Sequence, residues 1–131
     1  KLKSIKKIST KEFPGYPTDL QAQLIATQLK TGLKSKVVEN IFENRFIHIP
    51  ELRRFGANLS IKGNTVTIDK TSNLLGAEVM ATDIRASFSL IIAAMMSKGK
   101  TVINRIYHLD RGYEDFDLKL KKCGVNISRK K

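Results

Sequence analysis

The two halves of this sequence repeat one another, and the repeat limits the folds that the chain can adopt. The first half contains Thr18-Asp19-Leu20-Gln21-Ala22, and 64 positions later the chain has Thr82-Asp83-Ile84-Arg85-Ala86. Further matches are offset by 65 to 68 positions: Ile41-Phe42 with Ile106-Tyr107, Arg45 with Arg111, and Gly56-Ala57-Asn58 with Gly124-Val125-Asn126. Short loop insertions between two copies of one supersecondary unit produce such a slowly growing offset. The sequence therefore predicts an α/β (α+β) chain of two tandem units.

The first unit, about residues 1–70, is predicted to have the order βαβαββ. Thr18 or Asp19 is positioned to cap the first helix, which Gly32 ends. The tripeptide Lys62-Gly63-Asn64 separates two β-branched runs and indicates a tight hairpin. Strands are predicted over residues 3–10, 37–42, 58–61 and 65–68, with the second helix over 49–55.

The second unit, about residues 71–131, is predicted to repeat this order but to stop at βαβαβ. Its helices are predicted from Thr82 or Asp83 to Gly99 and over 113–123, and its last two strands over 101–107 and 125–128. The unit thus lacks the closing strand of the first. A sheet that is one strand short has an unpaired edge, so we expect a segment outside this chain to complete it.

The charge balance indicates an anionic partner. The chain has 131 residues and a formal net charge of +12, with lysines crowded at both ends. A phosphorylated substrate, a membrane surface and a nucleic acid all fit such a charge. A basic nucleic-acid-binding module is therefore one alternative, although the sequence has no Trp and no nucleic-acid-binding motif.

The single cysteine, Cys123, constrains the compartment and the chemistry. One thiol cannot form an internal disulfide, no apolar run approaches the length of a membrane helix, and the first residues have no signal-peptide core. We therefore expect a cytoplasmic protein without membrane contact. Cys123 is predicted to be a buried small apolar residue, and its spacing from His48 and His108 argues against a zinc site.

Charged residues recur at the repeated turns. Asp19 and Asp83 each stand at a predicted helix start, and Arg45 and Arg111 occupy matching strand-to-helix turns, with Arg85 one turn into its helix. Helix caps and surface salt bridges are the simpler explanation of each residue taken singly. Helix N-termini with nearby guanidinium groups bind carboxylates and phosphates, however, so the duplicated set indicates an anion pocket.

Around these positions the sequence resembles the UDP-N-acetylglucosamine enolpyruvyl transferases (1-carboxyvinyltransferases). The matching runs are Pro17-Thr18-Asp19-Leu20-Gln21-Ala22-Gln23, Ile41-Phe42-Glu43-Asn44-Arg45-Phe46, Met80-Ala81-Thr82-Asp83-Ile84-Arg85-Ala86 and Tyr107-His108-Leu109-Asp110-Arg111-Gly112-Tyr113-Glu114. The likeness covers nearly the whole chain. The related enolpyruvylshikimate phosphate synthases share the fold but match the second and fourth runs less well.

This resemblance implies a fold and a reaction. Family members have two domains, each an inside-out α/β barrel of three βαβαββ units, and this chain looks like the last two units of the C-terminal domain, an incomplete domain. The reaction moves the enolpyruvyl group of phosphoenolpyruvate onto the 3′-hydroxyl of UDP-N-acetylglucosamine and releases phosphate. It belongs to peptidoglycan synthesis and needs neither a metal nor a cofactor.

The resemblance also implies roles for seven residues. Asp19 matches the base at the sugar 3′-hydroxyl, Asp83 the carboxylate beside the reacting end of phosphoenolpyruvate, and Arg111 an arginine that holds this substrate; these are the predicted catalytic residues. Substrate contacts are predicted for Asp19, Ile41, Phe42, Arg45, Arg85 and Arg111. The family's cysteine acid lies on a loop of the other domain and is not matched by Cys123. The chain is therefore expected to need the N-terminal part of the enzyme and to be inactive alone; a folded truncation without function is the other alternative.

Overall fold

The first repeat unit forms a four-stranded sheet with two helices against it. The structure is a computed structural model that describes residues 2–130. The elements in chain order are β1 (Lys7–Ser9), a 3-10 turn (Thr18–Leu20), α1 (Gln21–Gln28), β2 (Ser35–Val38), α2 (Ile49–Arg54), β3 (Leu59–Lys62) and β4 (Thr65–Ile68). The sheet order is β1-β2-β4-β3, with β1 parallel to β2 and the other pairs antiparallel. The predicted βαβαββ order is confirmed.

The hairpin of the first unit follows from its residue pattern. Val66 and Ile68 alternate with two threonines, and both apolar side chains are fully buried. This period of two is that of a strand with one face on the core. Gly63 has a φ of +57° in the turn between β3 and β4, a conformation that glycine adopts without steric cost.

The second unit is less regular than predicted. Its elements are β5 (Glu78–Met80), α3 (Ile84–Met96), β6 (Val102–Asn104), α4 (Tyr107–Asp110) and α5 (Phe116–Lys122), with β5 parallel to β6. The predicted strand 101–107 ends early because Arg105 has a φ of +56° and turns the chain into α4, which was not predicted. Asp115 has a left-handed φ of +47°, so the last helix begins at Phe116 and not at residue 113.

The predicted strand over 125–128 is wrong. These residues have no strand partner among residues 2–130. In the first unit the equivalent strand, β3, pairs only with β4. The described part of the second unit contains no counterpart of β4, so the backbone of 125–128 has nothing to pair with.

One hydrophobic core joins the two units. It contains Ile25 of α1, Leu52 of α2 and Val66 of β4 together with Val79 of β5 and Leu90 of α3, all buried. A smaller cluster is formed by Ile91 of α3, Leu109 of α4 and Phe116 of α5. The boundary between the units at about residue 70 stays a prediction, because the helices α1 and α3 pack against each other across it.

The prediction that Cys123 is buried is also wrong, since its side chain is exposed. Cys123 is the residue that follows α5, and the offset of 68 makes Phe55, directly after α2, its counterpart. Phe55 is fully buried in the core that the four-stranded sheet covers. The second unit has only two strands among the described residues, so Cys123 has no such cover.

Candidate active site

Asp19 lies at the centre of a group of charged side chains between the two units. It sits in the 3-10 turn before α1, and neither it nor Thr18 caps a helix, so that prediction is wrong. The Asp19 Oδ1 atom lies 2.5 Å from Nε of Arg85 and 3.5 Å from Nη1 of Arg45. One carboxylate thus bridges an arginine from each unit.

Arg45 is held in place by its backbone and by its side chain. Asn44, directly before it, has a left-handed φ of +54°, which asparagine tolerates better than most residues. The Arg45 carbonyl accepts a hydrogen bond of 3.0 Å from Nε2 of Gln21, and its guanidinium lies 4.3 Å from the ring centroid of Phe42. This cation–π contact orients the guanidinium toward Asp19.

Asp83 differs from Asp19 although the two occupy matching positions in the repeat. Its Oδ1 accepts a hydrogen bond of 2.7 Å from the backbone N–H of Ala86, and this confirms the predicted cap of α3. The Asp83 carboxylate is therefore tied to its own helix, whereas the Asp19 carboxylate is free to bind arginine. The repeat supplied two equivalent carboxylates, and tertiary contacts gave them different partners.

Arg111 lies at the end of α4 and is not joined to the Asp19 ion pairs in the described part of the chain. Gly112 brings α4 against α3, because a Cβ atom there would lie 2.7 Å from Cγ2 of Ile84. Arg111 lines a second concavity with Asp110 and Arg129. Arg129 pairs with Asp110 at 2.6 Å, a contact that the sequence did not predict because nothing in the repeat marks it.

A concavity of about 770 Å³ opens beside Arg45. Its wall includes Ile41, half-buried, and the exposed ring of Phe42, together with the β3–β4 turn at Gly63. The backbone N–H groups of Ile41 and Phe42 both donate to the carboxylate of Glu39. Sequence reasoning missed Glu39; the only signal was a carboxylate placed directly after the apolar residues of β2.

The charged group contributes little to folding stability, so its arrangement calls for another reason. The side chains of Asp19 and Arg85 are 58% and 49% exposed. Ion pairs at such exposure contribute about 0–1 kcal/mol, because water screens them and ordering the side chains costs entropy. Guanidinium groups around an accessible carboxylate are instead suited to binding an anion and to moving a proton at a bound hydroxyl.

Residues 2–130 contain neither a cluster of metal-ligating side chains nor a helix that could cross a membrane. No group of three or more His, Cys, Asp or Glu side chains is arranged to hold a metal ion. No helix in this range has the length and apolar content that crossing a bilayer requires.

The buried side chain of His48 makes the free energy of unfolding depend on pH. It directly precedes α2 and is buried, and neither ring nitrogen forms a hydrogen bond with a described protein atom. Burial lowers the pKa of His48 from 6.5 to about 4, although the charge of Asp83 and the carbonyl of Arg45 act in the opposite direction. Between these values the unfolded chain binds a proton that the folded chain does not.

We therefore expect the free energy of unfolding to fall by about 3 kcal/mol as the pH drops from 6.5 to about 4. Urea unfolding at half-unit pH intervals measures this loss, and His48→Gln should flatten the profile in that window. His108→Gln removes the only other histidine and is the matched control, expected to leave the slope unchanged. An equal slope in His48→Gln and the native chain would contradict the assignment.

The fold and the site together define a class of protein. Residues 1–120 match the family described as EPSP synthase (3-phosphoshikimate 1-carboxyvinyltransferase), and the chain belongs to that family. Its α+β repeat architecture is that of a solved structure titled as the enolpyruvyl transferase NikO from Streptomyces tendae. The TM-score is 0.85 at 27% identity, over 96% of this chain and 30% of that one. The predicted fold class is therefore confirmed.

Within the family, two similar curated proteins carry the same name. The chain is 57% identical over 122 residues to UDP-N-acetylglucosamine 1-carboxyvinyltransferase of Rhodopseudomonas palustris strain TIE-1, covering 93% of this chain and 28% of that protein. It is 56% identical over 129 residues to the protein of that name from Pelagibacter ubique, covering 98% of this chain and 31% of that protein. The predicted resemblance is confirmed, and the chain spans less than a third of the length of these relatives.

Proposed function

We propose that this chain supplies part of the active site of a UDP-N-acetylglucosamine 1-carboxyvinyltransferase. The reaction transfers the enolpyruvyl group of phosphoenolpyruvate to the 3′-hydroxyl of UDP-N-acetylglucosamine and releases phosphate. The observation that carries the proposal is the Asp19 carboxylate held between Arg45 and Arg85, one arginine from each repeat unit. The names of the similar proteins support the choice of substrates.

In this reaction Asp19 is the general base. Its carboxylate is exposed enough to reach a bound hydroxyl, and it has no capping hydrogen bond that would have to break first. A general base must lie within hydrogen-bond reach of the proton that it removes. The neighbouring arginines keep the carboxylate in position until the substrate hydroxyl arrives.

The arginines hold the anionic substrate. Phosphoenolpyruvate carries a carboxylate and a phosphate, and Arg45 and Arg85 already place two guanidinium groups beside Asp19. Arg111 directly precedes Gly112, which packs against Ile84 at the start of α3. Fixed guanidinium groups position such an anion and stabilise charge that develops in the transition state. Asp83, fixed by its own helix, faces the same substrate in this proposal.

The chain forms one wall of a cleft that the N-terminal part of the enzyme closes. That part would provide the cysteine acid, for which Cys123 is not a substitute because it lies at the end of α5, on a different element from Asp19, Arg45 and Arg85. Ile41 and Phe42 would contact the UDP-sugar along the open concavity. The proposed setting is peptidoglycan synthesis in the cytoplasm.

Reconstitution from two parts tests the proposed function. This chain is mixed with the part of the Pelagibacter ubique relative that it does not match, expressed separately, and phosphate release is followed with both substrates present. We expect turnover from the mixture and none from either part alone. Steady turnover by the 131-residue chain alone would refute the division of the site. If both parts are folded and associated but the mixture releases no phosphate, the proposed activity is refuted.

A further inference from the structure

The carboxylate of Glu39 joins three segments of the first unit. It directly follows β2, it is only 3% exposed, and it accepts four hydrogen bonds. Its Oε1 atom receives the hydroxyl of Thr10 at 2.9 Å and the N–H groups of Ile41 and Phe42 at 2.9 and 3.2 Å. Its Oε2 atom receives the hydroxyl of Thr18 at 2.8 Å.

These partners belong to the segments that carry the proposed site. Thr18 directly precedes Asp19 in the 3-10 turn, and Ile41 and Phe42 begin the loop that leads to Arg45. The ring of Phe42 lies under the guanidinium of Arg45, so fixing the Phe42 backbone also fixes one partner of Asp19. One buried group therefore contacts both the turn that carries Asp19 and the wall of the concavity.

The Glu39 carboxylate acts as an acceptor and not as a proton carrier. Burial on its own raises the pKa of its carboxyl, but the hydrogen bonds from Ile41, Thr18, Thr10 and Phe42 outweigh this effect and the net pKa is lowered. It therefore stays ionised at neutral pH, where charge-assisted hydrogen bonds are about twice as strong as neutral ones. The residue is 3% exposed, and both carboxylate oxygens already accept hydrogen bonds from protein donors.

The second unit has no counterpart of the Glu39 hydrogen bonds and provides a comparison. The strand registers pair Ser9 with Val38 and Met80 with Asn104, so the residue after each strand end can be compared directly. By this strand register the second unit has Arg105 and Ala81 where the first has Glu39 and Thr10, and by the repeat offset of 65 it has Asn104 in place of Glu39, so neither comparison gives a carboxylate. No equivalent network can form there, and Asp83 caps its own helix instead. In the first unit Glu39 engages Thr18, and Asp19 is left for the arginines.

We propose that Glu39 is a positioning residue for the carboxyvinyl transfer. Through Thr18 it fixes the turn that carries Asp19, and through the amides of Ile41 and Phe42 it fixes the wall of the concavity that would contact the UDP-sugar. This inference rests on the proposed function, since it assigns Glu39 a task in that same site. It adds a residue that no repeat match or charge pattern indicated.

Hydrogen exchange of the amides in the isolated chain tests the Glu39 hydrogen bonds and requires no enzymatic activity. In the native chain we expect the Ile41 and Phe42 amides to be protected, and in Glu39→Gln to exchange about tenfold faster, since a charged acceptor becomes a neutral one. Glu39→Ala, which removes every acceptor, should have a larger effect. Glu12→Gln removes the same charge from an exposed loop residue and is the matched control, expected to change neither amide.

Kinetics of the reconstituted mixture separate the two contacts of Glu39, one with Thr18 and one with the amides of Ile41 and Phe42. Thr18→Val removes only the link to the Asp19 turn, so we expect kcat to fall about tenfold while Ile41 and Phe42 keep their amide protection. Glu39→Gln should in addition raise the KM for UDP-N-acetylglucosamine about tenfold, with the KM for phosphoenolpyruvate within about twofold. The pH dependence of kcat should keep its shape, because Glu39 transfers no proton.

Unchanged amide exchange in Glu39→Gln overturns the proposal, and so do a kcat and a UDP-sugar KM that both stay within twofold of the native values. If a native mixture of folded and associated parts shows no turnover, the proposed function fails by itself. The exchange of the Ile41 and Phe42 amides then still shows whether Glu39 holds the loop.

Discussion

Asp19→Asn is expected to lower kcat of the reconstituted mixture about 10²- to 10⁴-fold, the usual contribution of a positioned general base. Asparagine keeps the size of the side chain but cannot accept the proton of the sugar hydroxyl, and it loses the charge that holds Arg45 and Arg85. Because the substrate is still held by the arginines, the KM for phosphoenolpyruvate should change much less than kcat. Initial rates of phosphate release across a grid of both substrates measure the two effects separately.

Asp69→Asn is the matched control for this experiment. Asp69 pairs with Lys34 at 3.0 Å at the end of β4, away from the Asp19 group, and its loss should leave kcat unchanged. Asp19 caps no helix, so Asp19→Asn should lower the free energy of unfolding by no more than about 1 kcal/mol. Equal turnover by Asp19→Asn and the native chain would remove Asp19 from the role of base.

Phe55→Ala is expected to lower the free energy of unfolding by about 3–5 kcal/mol. Phe55 has 0% exposure and belongs to the core that joins α1, α2, the four-stranded sheet and α3. Removing the ring takes away its transfer free energy and leaves a cavity that the surrounding strands and helices fill only in part. Urea unfolding of the isolated chain, followed by circular dichroism, measures the change in midpoint.

Phe13→Ala is the same chemical change at a residue with 99% exposure, and it should alter the free energy of unfolding by less than about 0.5 kcal/mol. Cys123→Ala tests the counterpart of Phe55 in the second unit and should have a similarly small effect, because that side chain is exposed. A loss in Phe13→Ala as large as that in Phe55→Ala would show that the chain has no ordered core at Phe55.

Local sequence signals made most of the first unit predictable. The order βαβαββ, the hairpin at Gly63 and the two helices all follow from local signals that the structure retains. The prediction failed where pairing depends on a distant segment. Residues 125–128 carry a strand-like sequence, but a strand is stable only beside another strand, and the described part of the second unit offers none.

The candidate site was predictable as a set of residues and not as an arrangement. Asp19 and Asp83 are equivalent in sequence, yet only Asp83 caps its helix, because Glu39 engages Thr18 and two arginines engage Asp19. No local pattern contains this difference, since it depends on contacts between residues that lie 20 or more positions apart. Glu39 itself was invisible for the same reason.

The sequence by itself determined the repeat, the secondary structure of the first unit, the family and the identities of the charged residues. These depend on local propensity, on turn chemistry and on residue order, all of which can be seen without coordinates. The tertiary structure alone decided which carboxylate is free, which arginines meet it and which side chains are covered, so that Phe55 is buried while Cys123 is exposed. Burial and pairing depend on what packs against a residue, and its neighbours in the chain do not specify them.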